Sequence, residues 1–226
     1  IPGVPFTTYL RRKRNHVPPR LLNTLARVLA HYTHLRIPEP TRRLLHLHAH
    51  RASDFSKRFT QYTRGRNRKM ILQHLTETEL EAAARIIAFH QTEKRLPRQL
   101  GLSHGDLSTA NLLVDGESFA VLDWEHIQIA SPAYDIAELW VKEFSRAPWR
   151  NKLALQVGAL QPQPELFGAL FSIEVLLFCL RDILLHDRIV HELKHRRSKA
   201  IIRRVLSYYS RTFRAALRGF PVLLKT

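Results

Sequence analysis

A hairpin signal in the middle of the chain constrains the fold more than any other feature of the sequence. Two β-favouring runs, Leu112–Val114 and Phe119–Leu122, flank the turn dipeptide Asp115-Gly116. The antiparallel return of such a hairpin brings its two outer ends together. Asn111 enters the first run and Asp123 leaves the second, so we expect these two side chains to share one site although they lie twelve residues apart.

A polar loop precedes the hairpin and carries a second carboxylate. It reads His104-Gly-Asp-Leu-Ser-Thr-Ala-Asn111, which places Asp106 five residues before Asn111. Phosphoryl transfer from ATP uses this set of groups: an Asp receives the hydroxyl proton, while an Asn and an Asp hold Mg²⁺ on the phosphates. Each residue alone could be a turn or strand-end cap. Their joint spacing favours a catalytic loop at 104–111 and a metal-binding hairpin at 111–123.

Three further residues are candidates around this loop. Ser108 lies two residues after Asp106, where it could donate to the transferred phosphoryl group or be a simple loop hydroxyl; the sequence leaves both interpretations open. A hydrolase pair of Ser108 and His104 is disfavoured, because no Gly-x-Ser-x-Gly elbow surrounds Ser108. We expect His104 to shape the loop through hydrogen bonds. We expect Asp135, in the first turn of a helix that Ser131-Pro132 starts, to brace the loop.

The remaining sequence predicts a chain that is predominantly α-helical with one small β-hairpin. Residues 1–19 are Pro-rich and are interpreted as an irregular linker, followed by a helical domain at 20–226. Thr76 and Glu79 form a capping-box signal for a helix start. The C-terminal part predicts helices at about 151–159, 165–187 and 189–218. Zinc binding by His46, His48 and His50 is disfavoured, because no Cys or carboxylate lies at ligand spacing nearby.

The composition limits the setting of the protein. Its one cysteine, Cys179, excludes an internal disulfide and favours a reducing, cytoplasmic location. The apolar stretch 166–185 is interrupted by Glu174, Arg181 and Asp182, which favours a buried helix over a membrane span.

The net charge of +17 is unevenly distributed along the chain. Residues 1–70 carry 16 Lys and Arg against 2 Asp and Glu, and residues 141–226 carry 16 against 6. Residues 71–140, which hold the candidate site, carry 4 against 11. Acidic residues suit a Mg²⁺ site, and basic flanks suit an anionic partner. Peripheral contact with a membrane is compatible with these flanks, whereas the run Arg11-Arg12-Lys13-Arg14 is too short to indicate nucleic-acid binding.

Three segments together resemble the aminoglycoside phosphotransferase and choline kinase family, which has the protein-kinase-like fold. They are residues 102–114, with Leu-Ser-His-Gly-Asp-Leu-Ser-Thr-Ala-Asn-Leu-Leu-Val, residues 121–125, with Val-Leu-Asp-Trp-Glu, and residues 131–137, with Ser-Pro-Ala-Tyr-Asp-Ile-Ala. The resemblance implies that ATP is the co-substrate, that Asp106 is the catalytic base, and that Asn111 and Asp123 are the Mg²⁺ ligands. It also implies that Asp135 supports the catalytic loop. Ser108 stands where relatives often have His.

The resemblance further implies that the chain is the C-terminal lobe of this fold and that the N-terminal lobe is missing. The family's N-terminal lobe supplies a nucleotide-covering loop, and no Gly-x-Gly occurs among the eight glycines of the chain. We therefore expect the isolated chain to bind ATP poorly and to be inactive until it is joined to that lobe.

Two functions from different classes follow from these features. The first is an ATP-dependent phosphotransferase that acts on a hydroxyl of a small molecule such as a sugar, an aminoglycoside-like compound or an amino alcohol. The alternative is a kinase-like binding module that uses its basic flanks to hold nucleic acid or a membrane. The intact set of Asp106, Asn111 and Asp123 favours the enzyme.

Overall fold

The computed structural model describes residues 3–35, 37–38, 40–41, 54–91, 100–144 and 147–224. Helices dominate this part of the chain, which confirms the predicted class. In chain order the helices are α1 Phe6–Arg12, α2 Pro19–Thr33, α3 Asp54–Thr63, α4 Gly65–Ile71, α5 Glu77–Gln91, α6 Tyr134–Lys142, α7 Ala147–Ala159, α8 Pro164–Glu192, α9 Arg196–Leu217 and α10 Phe220–Leu223. The strands are β1 Val4–Pro5, β2 Gly101–Ser103, β3 Leu112–Asp115, β4 Ser118–Val121 and β5 Gln128–Ala130.

Two compact units divide the chain. One contains residues 1–51 and 95–170, and the other contains residues 52–94 and 171–226. The first unit includes all five strands, the catalytic-loop candidate and the hairpin.

The strands of the first unit form two small antiparallel sheets. One has the order β1-β3-β4, and the other pairs β2 with β5. The predicted hairpin is present: Leu112 pairs with Val121, and Asp115 pairs with Ser118 across a turn that begins at Gly116. Gly116 has a φ of +59°, a left-handed conformation that glycine adopts without a Cβ penalty.

The interpretation of residues 1–19 as an irregular linker is wrong for residues 4–12. β1 pairs with β3, and α1 follows it directly. Phe6 explains this order, because its fully buried ring packs edge-on against Phe119 of β4 at 5.3 Å and against Trp149 of α7 at 5.4 Å. A single aromatic anchor of this kind binds a Pro-rich segment to the core.

The second unit contains α3, α4, α5, most of α8, and both C-terminal helices. Its core includes Phe171, Phe178 and Phe213, each at most 1% exposed. A buried ion pair joins Arg58 Nη1 to Glu174 Oε2 at 2.7 Å. The capping box predicted at Thr76 is present, since the Thr76 N–H donates to Glu79 Oε2 at 2.8 Å and the Glu79 N–H donates to Thr76 Oγ1 at 3.2 Å.

The C-terminal helices follow the predicted pattern with shifted ends. Observed helices at 147–159, 164–192 and 196–217 replace the predicted 151–159, 165–187 and 189–218. Glu174, Arg181 and Asp182 lie inside α8, and within the described ranges no helix is long and apolar enough to cross a membrane. The His46, His48 and His50 cluster lies outside the described residues.

Candidate active site

Asp135 is the anchor of the candidate catalytic loop. Its buried carboxylate accepts hydrogen bonds from the backbone N–H groups of His104 at 2.7 Å and Gly105 at 3.0 Å. Two hydroxyls complete the set, from Ser103 at 2.9 Å and from Tyr32 of α2 at 3.0 Å. Burial raises the pKa of Asp135, and the hydrogen bonds act against that shift because they favour the ionised form. Four donors from α2, β2 and the loop thus fix the loop against the first turn of α6.

His104 connects the loop to the far end of the hairpin. Its Nε2 lies 2.6 Å from the carbonyl oxygen of Leu122. Its Nδ1 lies 3.3 Å from the Asp106 backbone nitrogen. A carbonyl only accepts and a backbone N–H only donates, so both contacts are satisfied by the single neutral tautomer with hydrogen on Nε2. The predicted role of His104 in shaping the loop is consistent with this arrangement.

Gly105 allows the loop to pass close to the segment after the hairpin. Its φ is +85°, and an added Cβ would lie 2.1 Å from the carbonyl oxygen of His126. Glycine is required at this position by both the backbone conformation and the space, and the resulting close approach places Asp106 beside the residues that follow Asp123.

Asp106 is paired with a lysine that the motif spacing did not predict. Lys142, the last residue of α6, donates from Nζ to Asp106 Oδ1 at 2.6 Å. The same ammonium lies 3.2 Å from Oε1 of Glu138, a side chain that is only 1% exposed. Partial burial raises the pKa of Asp106, but the hydrogen bond and charge of Lys142 outweigh it, and the pKa is lowered overall. Asp106 is therefore held as a carboxylate with one oxygen engaged.

A sequence signal for Lys142 does exist. Asp135, Glu138 and Lys142 are spaced i, i+3 and i+7 on a helix that is otherwise buried and largely apolar. This spacing places three charged side chains on one face, and Glu138 with Lys142 is also an i, i+4 pair of opposite charge. Charged residues on the buried face of an apolar helix indicate a polar site.

Asn111 lies directly against the catalytic loop. Its Nδ2 is 3.0 Å from the backbone carbonyl oxygen of Asp106. A carbonyl only accepts, which identifies the atom facing it as the amide NH₂ and leaves Oδ1 as the acceptor on the other side. The backbone of Asn111 also accepts a hydrogen bond from Leu122 N–H at 2.9 Å. Asn111 and Asp123 are therefore separated by one backbone step across the hairpin.

Asp123 adopts an uncommon backbone conformation as it leaves β4. Its φ and ψ are 63° and 60°, in the left-handed region, and its side chain is exposed. The next residue, Trp124, is half-buried: its Nε1 donates to the Val121 carbonyl at 3.0 Å, and its ring packs edge-on against Tyr32 at 5.4 Å. Trp124 thus contributes to packing, whereas the Asp123 side chain is exposed.

A largely apolar cavity of about 540 Å³ lies against Val121 and Trp124, which stand on either side of Asp123 in the sequence. Its walls are Arg27, Val28, His31, Tyr32, Val121 and Trp124.

Ser108 is half-buried in extended conformation at the start of a short 3₁₀ turn, Thr109–Asn111, and its side chain makes no capping hydrogen bond there.

The donor set at the hairpin fits a magnesium ion. Asn111 Oδ1 is one neutral oxygen and Asp123 is one charged carboxylate, which matches an ion that retains water and takes phosphate oxygens. Over the described ranges no group of three or more His, Cys, Asp and Glu side chains could hold a metal ion. The site therefore suits an ion brought in with phosphates better than one bound by protein ligands alone.

Comparison with known proteins supports this description of the fold. The sequence profile of a family described as phosphotransferase enzymes matches residues 1–167. A search of curated proteins finds no match.

Among solved structures, the GDP complex of aminoglycoside 2'-phosphotransferase-IIIa has a TM-score of 0.59 at 14% identity, covering 86% of this chain and 64% of that one. A choline/ethanolamine kinase family protein from Mesorhizobium loti has a TM-score of 0.54 at 14% identity, covering 92% and 65%. An aminoglycoside phosphotransferase from Alicyclobacillus acidocaldarius has a TM-score of 0.52 at 16% identity, covering 89% and 66%. The chain thus spans slightly less than two thirds of each structure.

Proposed function

Since the chain belongs to the phosphotransferase enzyme family, we propose that the protein transfers the γ-phosphoryl group of ATP to a hydroxyl of a small molecule. Asp106 is the catalytic base. The observation that carries this proposal is the convergence of Asp106 and Asn111 through a direct hydrogen bond, beside the hairpin end that delivers Asp123.

In the proposed reaction, Asp106 orients the acceptor hydroxyl and receives its proton. Lys142 engages Oδ1, so Oδ2 is the oxygen that faces the acceptor. The hydroxyl oxygen attacks the γ-phosphorus, the bond from that phosphorus to the β,γ-bridging oxygen breaks, and ADP leaves. Most of the rate enhancement comes from positioning and from stabilisation of charge, as expected for phosphoryl transfer.

Asn111 and Asp123 would hold Mg²⁺ on the phosphates. The ion would neutralise charge on the phosphoryl oxygens as the bond breaks. Asn111 contributes Oδ1, because its amide nitrogen is engaged by the Asp106 carbonyl. Asp135, His104 and Tyr32 are positioning residues in this scheme, since they hold the loop and do not contact the reacting atoms.

The proposed acceptor is a small molecule that carries a hydroxyl group. The solved relatives include phosphotransferases named for aminoglycosides and a member of the choline/ethanolamine kinase family. Sugars, aminoglycoside-like compounds and amino alcohols are therefore the candidate acceptors. The mixed charge of the site, with Lys142 and Glu138 beside Asp106, is compatible with an acceptor that is itself polar.

Turnover of ATP by the intact protein, measured against a panel of these acceptors, tests the proposal. Asp106→Ala should abolish acceptor-dependent turnover while circular dichroism and melting temperature stay close to those of the parent protein. Acceptor-dependent turnover that survives this substitution would sink the assignment of Asp106. A complete absence of turnover in the parent protein, with every acceptor class and with Mg²⁺ present, would favour the binding-module alternative.

A further inference from the structure

Helix α9 carries an unusual concentration of positive charge. Its sequence, Arg196–Leu217, contains six arginines, one lysine and no acidic residue, and Arg218 follows at its C-cap. The helix lies outside the residues matched by the phosphotransferase family profile, which ends at residue 167. The charge is therefore not explained by the proposed chemistry.

The arginines form a stripe along the solvent side of α9. Arg196, Arg203, Arg211 and Arg218 are spaced seven or eight residues apart, which places them on one helix face. Arg197 and Arg204 flank that line, and all six side chains are exposed. We call these six residues the arginine stripe. A helix of this length extends for about 33 Å.

The opposite face of α9 is already occupied by the protein's own core. Leu206, Tyr209, Phe213 and Ala216 are buried. The amphipathic pattern is thus satisfied on its apolar side in the C-terminal half of the helix, and the stripe is the face left toward solvent.

Among the described residues, the stripe has no counter-charge in an ion pair. Within the described part of the chain, none of its six arginines forms an ion pair, whereas Arg214 of the same helix binds Glu79 Oε1 at 2.5 Å. With Arg214 neutralised, the five other arginines of α9 and Arg218 at its C-cap present a line of cations available to an external anion. Arginine binds phosphate through two parallel N–H groups, which suits this role.

The N-terminal half of α9 adds an apolar side chain to the same surface. No residue from 196 to 205 is buried, and Ile201 is 55% exposed. Ile201 lies four residues after Arg197 and three before Arg204, so it is their neighbour on the helix surface. An exposed isoleucine between arginines has no role on a phosphate backbone, but it can enter the boundary between headgroups and acyl chains.

We propose that the arginine stripe of α9 docks the protein on a membrane surface that contains anionic phospholipid. Clusters of four to eight basic residues on an amphipathic helix are suited to anionic headgroups. A planar layer of phosphates meets the arginine stripe along its whole length, whereas a nucleic-acid duplex curves away from it. Between the arginines, Tyr209 is buried and Tyr208 is half-buried, with its ring packed edge-on against Tyr209 at 5.4 Å. The stripe therefore carries one partly accessible ring at most, whereas single-stranded nucleic acids stack successive bases on several rings.

Vesicle binding by the full chain tests this proposal. The probes are vesicles of phosphatidylcholine mixed with phosphatidylglycerol, and vesicles of phosphatidylcholine alone. We expect binding only to the anionic vesicles, and weaker binding as NaCl is raised, because salt screens exposed charges. Equal binding to both vesicle types, or no binding to either at low salt, would overturn the proposal.

A matched pair of triple variants locates the surface. Arg203→Gln with Arg204→Gln and Arg211→Gln should lower the affinity for anionic vesicles about a hundredfold, because each arginine near a charged bilayer contributes about a fivefold factor. The control removes three exposed cations elsewhere, by Arg11→Gln, Arg12→Gln and Lys13→Gln, and should keep most of the affinity. Equal losses in the two variants would show diffuse attraction by net charge and would refute the stripe.

Two further measurements complete the test. Ile201→Ser, which leaves every charge in place, should weaken vesicle binding several-fold and leave its salt dependence unchanged. Each variant should melt at the temperature of the parent chain, because the substituted side chains are exposed; a variant that does not fold is replaced by its single substitutions. Tighter binding to duplex DNA or RNA than to anionic vesicles, lost in the stripe variant, would assign the surface to nucleic acid and contradict the proposal.

Discussion

Lys142 changes how Asp106 works at the scale of single residues. A loop carboxylate that is about half exposed would otherwise rotate between orientations, and the 2.6 Å contact with Lys142 fixes one of its oxygens. Glu138 in turn holds the lysine from a buried position at 3.2 Å. Orientation of a reacting group is a large part of catalysis in reactions of this class. In the proposed reaction Lys142 is therefore a positioning residue, and its removal should lower the turnover rate.

Lys142→Met should lower kcat of the intact protein about a hundredfold, the loss expected when a reacting group is misplaced by about 1 Å. The KM for ATP should change little, because the lysine does not contact the nucleotide. Lys142→Arg, which keeps the charge, should recover part of kcat. Steady-state kinetics with ATP varied at saturating acceptor give both constants.

Lys152→Met serves as the control for that experiment, because Lys152 is an exposed lysine of the same unit. Wild-type kinetics are expected for it. A Lys142→Met protein that turns over as fast as the control would contradict the positioning role, and a rise in KM with unchanged kcat would do the same.

At the scale of elements, the close packing of β2 on α2 holds the site together. Gly101 begins β2, and an added Cβ there would lie 1.6 Å from the backbone oxygen of Thr33, the last residue of α2. This approach brings Tyr32 within reach of Asp135. A backbone atom cannot move aside as the end of a flexible side chain can, so the contact admits only glycine.

Gly101→Ala should therefore destabilise the protein by about 3 kcal/mol or more, the upper range for overpacking a core. Urea unfolding followed by circular dichroism measures this change. Gly158→Ala is the matched control, since its Cβ would meet only the Phe167 ring, at 3.0 Å, and helix propensity favours alanine at an interior position by about 1 kcal/mol. Similar stabilities for the two variants would show that β2 has room to shift.

The elements that depend on local sequence were predictable, and those that depend on distant partners were not. The hairpin and the Thr76 capping box are encoded by residues a few positions apart, and both are present. β2 and β5 are three-residue strands that pair across an interval of 25 residues, from Ser103 to Gln128, and such short strands show no periodicity. β1 and α1 are held by Phe6 against Phe119 and Trp149, which no local pattern reveals.

The residues of the candidate site also divide into those that local sequence predicts and those that depend on distant partners. Asp106, Asn111 and Asp123 lie on contiguous or hairpin-linked segments, so their spacing was informative. Tyr32 reaches Asp135 from 103 residues away, and only the packing of α2 against the loop brings the two together. Lys142 was accessible in principle from the charge pattern of α6, but that pattern indicates a polar helix face without naming its target.

At the scale of the whole molecule, charge and chain extent set the expected behaviour. The chain is strongly basic, at +17, and spans slightly less than two thirds of the solved structures it resembles. Its sequence contains no Gly-x-Gly of the kind that covers nucleotide phosphates. The affinity of the chain for ATP and the dependence of its stability on pH are therefore predicted separately.

Residues 1–226 alone should bind ATP poorly even with Mg²⁺ present, because their sequence contains no Gly-x-Gly loop to cover the phosphates. Isothermal titration of the chain with Mg²⁺ and ATP measures this. The same titration of the Asp123→Ala variant gives the background against which any weak binding by the parent chain is measured. Tight binding that depends on both Mg²⁺ and Asp123 would contradict the expectation.

The stability of the protein at acidic pH should depend on the ionisation of Glu79. Burial raises the pKa of Glu79, but hydrogen bonds from Arg214 and Thr76 outweigh it and lower the pKa below its usual value. A carboxyl with a lowered folded-state pKa stabilises the fold above its unfolded pKa of about 4.3, and this contribution disappears as the pH falls through the folded-state pKa.

Glu79→Gln should therefore lower the melting temperature by about 2–4 °C at neutral pH, since a partly exposed ion pair contributes at most about 1 kcal/mol. The difference from the parent chain should shrink below about pH 4. Thermal melts of both proteins across this range provide the measurement. A difference in melting temperature that grows with acidity would be incompatible with a lowered Glu79 pKa.

Asp123 has a left-handed backbone, with a φ of +63°. At this position the stability of the fold and the chemistry of the side chain favour different residues. A residue other than glycine in this conformation costs about 1–2 kcal/mol. Glycine at this position would therefore raise the free energy of unfolding. Glycine would also remove the charge on which the proposed magnesium site depends. Selection for thermal stability alone should favour replacement of this aspartate, and a protein that keeps it retains the charge at the expense of stability.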